Sequence, residues 1–117
     1  MNQRQLLDEL VCRLQCFPSP GHIAGIGSVR APQPVLATCT TPGRATVDDL
    51  PTDGTVLVTC GVADPGNLGT ILRSAEAAGA AAIVLGPGSV DAYNPKVVRA
   101  SAGAIFGIPV SVAASEG

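Results

Sequence analysis

The chain has 117 residues, which suits one domain with a modest core. Hydrophobic residues make up 46% and aromatics only 3%, so Val, Leu, Ile and Ala must build that core, and a single-strand binder based on base stacking is disfavoured. The net charge is −2 and no two basic residues are adjacent, so the chain as a whole has no electrostatic footprint for nucleic acid; a local site of a few arginines stays open.

Residues 3–15 predict an amphipathic helix, because Leu6, Leu7, Leu10, Val11 and Leu14 recur at helical spacing. The segment lacks the uninterrupted apolar run of a signal peptide. No run in the chain approaches the ~18 apolar residues of a membrane span. "FPSPGH" then breaks the pattern with two prolines and a glycine. From there to Asp53 the chain reads as an irregular connector, with "PVLATC" its one short candidate strand. The four cysteines, Cys12, Cys16, Cys39 and Cys60, form no Cys-x-x-Cys pair. They are expected as buried or half-buried free thiols in a reducing cytosol, with no metal.

The second half changes character. "TVLVTC", from Thr55, is a β-branched run suited to a buried strand. "DPGNLGTILRSAEAAGA", from Asp64, opens with a turn and continues as a helix. "AAIVLGPG" predicts a second strand, "YNPKVVRASAGAIF" a second helix with Asn94 as N-cap and Pro95 in its first turn, and "GIPVSVAA" a third strand. The order β-α-β-α-β marks an α/β parallel sheet with right-handed crossovers. Gly86-Pro87-Gly88 ends a strand, where open sheets of this kind place ligands.

On the first helix, Leu68, Ile71, Leu72, Ala75 and Gly79 fall on the side that should face the sheet. Gly69, Arg73 and Glu76 share another side, with the glycine leaving space beside the arginine stem. Asn67 stands where its side chain can cap free amides or hold a ligand oxygen. The plainer alternative is a solvated Arg73–Glu76 pair behind an ordinary cap, worth a few tenths of a kcal/mol. Lys96 and Arg99, with Ser101 close behind, are candidate phosphate contacts or simply a solvated basic face. A dinucleotide fingerprint fits poorly, a triphosphate loop lacks its Gly-Lys-Ser/Thr, and His22 has no partner pattern. No paired carboxylates and no nucleophile with its base can be read.

From about residue 30 to residue 112 the chain resembles the SpoU (TrmH-like) RNA ribose 2′-O-methyltransferases of the SPOUT superfamily. The resemblance rests on "DPGNLGTILRSAEAAGA", on "IVLGPGSVDAYNPKVVRASAGAIFGIPV" and, more weakly, on "APQPVLAT". Asn67, Gly69, Arg73 and Gly79 match that family's first motif. The resemblance implies a methyl donor, S-adenosylmethionine; a tRNA or rRNA substrate; a homodimer; and a cytoplasmic setting without membrane. It implies Arg73 and Asn67 as catalytic residues; Gly69, Glu76, Lys96, Arg99 and Ser101, read from their positions on the two helices, are the expected RNA contacts. It divides the chain into an unassigned segment, residues 1–29, and the first portion of a methyltransferase domain, residues 30–117. The family's glutamate-containing second motif and its Ser-Leu-Asn third motif, which fold as the donor-binding knot, have no counterpart before Gly117. The chain alone is therefore expected to be inactive. Two alternatives stay open: a non-catalytic RNA-binding or dimerisation remnant, and an unrelated small nucleotide-binding α/β module.

Overall fold

The computed structural model describes residues 13–16, 35–38, 40–41 and 45–113. Strand β1 (Arg13–Cys16) pairs antiparallel with β2 (Val35–Thr38), placing Arg13 opposite Thr38 and Cys16 opposite Val35. This corrects the expected N-terminal helix over residues 13–15. Leu14 and Cys16 alternate with Arg13 and Gln15, so this short piece also fits a period of two. A distant partner strand then settles the matter. The rest of that expected helix, with Leu6, Leu7, Leu10 and Val11, lies outside the described residues, as do Cys12, His22 and Cys39. The strand expected at "PVLATC" is present as β2. The β1–β2 pairing joins residues on either side of position 29.

The connector ends in a single 3-10 turn at Val47–Asp49. Asp49 Oδ2 closes it, accepting from the Thr46 hydroxyl at 2.6 Å and the Thr46 backbone N–H at 2.9 Å. The hydroxyl first, and the backbone N–H second, hold the Asp49 carboxyl below its ordinary pKa.

The main sheet contains β3 (Val56–Thr59), β4 (Ala82–Leu85) and β5 (Val110–Val112), in that spatial order and all parallel. Helix α1 (Pro65–Ala77) connects β3 to β4; helix α2 (Pro95–Ala100) and a 3-10 turn (Ala104–Phe106) connect β4 to β5. The expected β-α-β-α-β order is thus present. Leu68, Leu72 and Ala75 of α1 pack with Val97 of α2 over Ile83, Leu85 and Val110 of the sheet, all within one buried cluster. Beyond β5, Ala45 makes a single parallel bridge to Ser111.

Local chemistry explains the helix limits. Asp64, not Asn67, is the N-cap of α1, its Oδ1 accepting the Asn67 backbone N–H at 2.8 Å, and Pro65 follows in the first turn. Gly79 is not in the core stripe: it is exposed, at φ 72°, and stops the helix by donating its N–H to Glu76 O at 3.0 Å. Asn94 caps α2 as expected, accepting from the Lys96 N–H at 2.9 Å. That helix is shorter than its sequence pattern. Ala102 at φ 49° and Gly103 at φ 94° both turn left-handed and break it before the 3-10 turn. For glycine this is free, whereas for alanine it costs about 1–2 kcal/mol.

Candidate functional site

The outward face of α1 carries the chemistry. Arg73 is exposed, and no hydrogen bond or ion pair holds it among the described residues, so the solvated Arg73–Glu76 pair does not form. Glu76 is half-buried one turn further on. Together with Thr70, Ser74, Ala77 and Ala102, these two line a shallow open depression above Ser101. A second open depression lies around the start of the helix, lined by residues 61–64, Asn67, Thr70 and Ile71. Thr70 belongs to both, and its hydroxyl donates back to Gly66 O at 3.0 Å. Arg73 and Asn67 therefore border neighbouring depressions rather than one common site.

Two of the expected RNA contacts, Gly69 and Ser101, are buried. Gly69 is buried, and a Cβ there would overlap that of Ala100 and lie 2.7 Å from the Ala100 carbonyl carbon and 2.9 Å from the Ser101 nitrogen. The space beside Gly69 is thus filled by the end of α2, and does not accommodate the Arg73 stem. Ser101 is fully buried, its hydroxyl donating to Val98 O at 2.8 Å. Ser101 nevertheless lines the Arg73 depression, whereas Gly69 lines neither depression. Lys96 and Arg99 are exposed on α2, and neither lines the two depressions. Ala102 was not foreseen as a lining residue. An alanine offers no signal for a left-handed backbone, which follows from the fit of Ala100 and Ser101 against Gly69.

The loops that follow β3 and β4 bond to each other. Gly61 N–H donates to Pro87 O at 2.9 Å, Gly86 N–H to Thr59 O at 2.6 Å, and Val90 N–H to Val62 O at 2.9 Å. The turn at Gly86-Pro87-Gly88 is thereby closed against the loop after β3, and a Cβ on Gly86 would meet Cys60 Sγ. Three amides at this sheet end are thus occupied by backbone carbonyls, while the buried hydroxyls of Thr59 and Ser89 have no hydrogen-bond partner among the described residues. The backbone amides of Gly61, Gly86 and Val90 are therefore not free to hold a cofactor. Cys60 itself is free and exposed, which corrects the expectation of a buried or half-buried thiol. Among the described residues no three His, Cys, Asp or Glu side chains gather as a metal site, and no helix is long and apolar enough to cross a membrane.

These features define an α/β open-sheet domain whose first crossover helix presents an unpaired arginine beside a mixed-charge depression. Residues 54–116 match the SpoU rRNA Methylase family, and the chain belongs to that family. It is 37% identical over 110 residues to the Bacillus subtilis 23S rRNA (guanosine(2553)-2′-O)-methyltransferase RlmP, covering 93% of this chain and 43% of that protein. It is 54% identical over 55 residues to the mouse mitochondrial rRNA methyltransferase 3, covering 47% of this chain and 13% of the relative. The fold superposes on an AdoMet-bound rRNA methyltransferase from Sinorhizobium meliloti with a TM-score of 0.76 at 34% identity, over 84% of this chain and 38% of that one. A TrmH-family protein from Porphyromonas gingivalis gives 0.76 at 30% identity, over 93% and 50%. The chain thus spans half or less of the length of these relatives.

Proposed function

We propose that the chain supplies the RNA-facing part of an S-adenosylmethionine-dependent ribose 2′-O-methyltransferase acting on rRNA or tRNA. The observation that carries this reading is Arg73: exposed, unpaired among the described residues, and inside the segment that matches the family. A guanidinium stays protonated and offers a planar fork to phosphate oxygens. Arg73 holds a phosphate of the target nucleotide and orients the neighbouring ribose, acting as an electrostatic positioner rather than a base. Glu76 lines the same depression and brings a carboxylate to it, which suits a ribose-phosphate unit better than a bare phosphate. Asn67 shapes the adjoining depression at the helix start. Lys96 and Arg99 add positive charge on the neighbouring helix. The family's methyl donor supplies an electrophilic methyl group when bound; the chemistry assigned to the residues described here stops at holding and orienting RNA.

The reading includes a homodimer and a cytoplasmic setting. The free thiol of Cys60 suits a reducing compartment, and strand β3, at the sheet edge among the described residues with Val58 exposed, suits a partner. A chimera provides the test. Residues 54–116 replace the matching segment of the Bacillus subtilis relative, and transfer of labelled methyl from S-adenosylmethionine to 23S rRNA is measured. The chimera is expected to be active, and Arg73→Ala within it to lose at least about a hundredfold in kcat/KM, in keeping with loss of one charge-stabilising donor. Unchanged methylation by that variant removes Arg73 from the site.

A further inference from the structure

Ala102 is the one described non-glycine residue with a left-handed backbone, and it lies on the lip of the Arg73 depression. Three contacts impose its conformation. Gly69 admits Ala100 and Ser101 so closely that no side chain fits between them. Ser101 is fully buried, with its hydroxyl tied to Val98 O. Beyond the kink, Ala104 N–H donates to Ser101 O at 3.0 Å, which fixes the exit of the turn. The chain must therefore reverse at 102 and 103. Glycine would do so at both positions without steric strain, yet position 102 carries a methyl group, and that residue is exposed rather than packed in the core. Strain retained on a solvent-facing residue beside a binding surface, with no packing return, points to a role in binding.

We propose that Ala102 is a positioning residue: its backbone, set by Gly69 and Ser101, holds a rigid apolar rim against the sugar of the nucleotide whose phosphate Arg73 takes. The inference rests on the reading of Arg73 as an RNA contact, and specifies how that contact is kept in register. Arg73 is a long, free side chain and cannot by itself define where a ribose sits. Thr70 and Ser74 line the same helix side, Glu76 brings a carboxylate, and Ala102 closes the depression from the second helix. A fixed wall opposite a flexible cation reduces the ordering cost of binding.

The test uses the 117-residue chain, thermal unfolding, and fluorescence anisotropy with a short fluorescein-labelled single-stranded RNA at low salt. Ala102→Gly relieves the strain and removes the rim. It is expected to raise Tm by about 5 °C while weakening RNA binding about threefold to tenfold, opposite signs that a purely structural residue does not give. Ala102→Asn, which tolerates the left-handed region but adds bulk to the rim, is expected to fold with an unchanged Tm and to weaken binding as well. Arg73→Ala is expected to weaken binding about tenfold with Tm unchanged. If Arg73→Ala weakens binding but Ala102→Gly binds like the parent, the reading of Arg73 stands and the rim is overturned. A lower Tm for Ala102→Gly overturns the rim by removing its strain. RNA binding that is absent from the parent, or indifferent to both Arg73→Ala and Ala102→Gly, overturns rim and reading together.

Discussion

Strands β3 and β4 are near twins in sequence and opposites in the fold. "VLVT" and "AIVL" are both apolar, β-branched and four residues long. Yet every β4 residue is buried, whereas Val58 of β3 is 63% exposed and Leu57 is 36% exposed. The register places Leu57 beside Ile83 and Val58 beside Val84, so the pairs share the same sheet faces. What separates them is lateral position. β4 has a strand on each side, while β3 is paired only to β4 among the described residues. An apolar run therefore shows that a strand forms; its neighbours decide whether its side chains stabilise the fold or face water.

The sharpest way to break this comparison is paired truncation. Ile83→Ala is expected to cost about 2–5 kcal/mol and Leu57→Ala about 1 kcal/mol, read from urea unfolding. Equal costs would mean that β3 is as enclosed as β4. Next in size is the contact that joins the two helices: Gly69→Ala forces a methyl into Ala100 and is expected to destabilise by about 1–3 kcal/mol. A neutral result would show that α2 gives way at no cost. On the edge itself, Val58→Lys is expected to change stability by less than about 0.5 kcal/mol. Its effect should instead be on association, because a charge on an exposed apolar edge blocks pairing with another chain. Light scattering of the parent and the variant measures this; a monomeric parent would remove the expectation of self-association.

The smallest effect concerns Asp49. Its carboxyl is held below the ordinary value by Thr46, hydroxyl first. A depressed folded-state pKa contributes stability above the unfolded-state value and loses it as the pH falls through the folded-state one. Thr46→Val removes the leading donor, so the Asp49 pKa should rise toward the ordinary carboxylate range in a carbonyl-detected NMR titration. Asp49 is fully exposed, so little change in global unfolding is expected.

The second half of the chain was largely legible. Its order of elements, the Asn94 cap and the outward position of Arg73 all follow from periodicity and local capping chemistry, which act over a few residues. The failures share a different origin. The residues around Leu14 fit two periods, and a distant strand selected one. Asn67 looked like a cap because Asp64, three residues earlier, competes for the same role and takes it. Gly69 and Ser101 read as surface groups because a helical wheel does not show that α1 and the end of α2 pack against each other there. At Gly86-Pro87-Gly88 the sequence did not show that Gly86 N–H bonds to Thr59 O and Pro87 O accepts from Gly61 N–H, contacts set by the neighbouring strand and its loop.

By itself, then, the sequence determined the β-α-β-α-β order, the family and the arginine on which the functional reading rests. These depend on residue type and near spacing. Only the tertiary structure decided which apolar strand is central, that Gly69 serves helix packing, and that Ala102 turns left-handed at the rim of the Arg73 depression. Each depends on close contact between segments far apart in the chain, where sub-ångström fit rather than residue type sets the outcome.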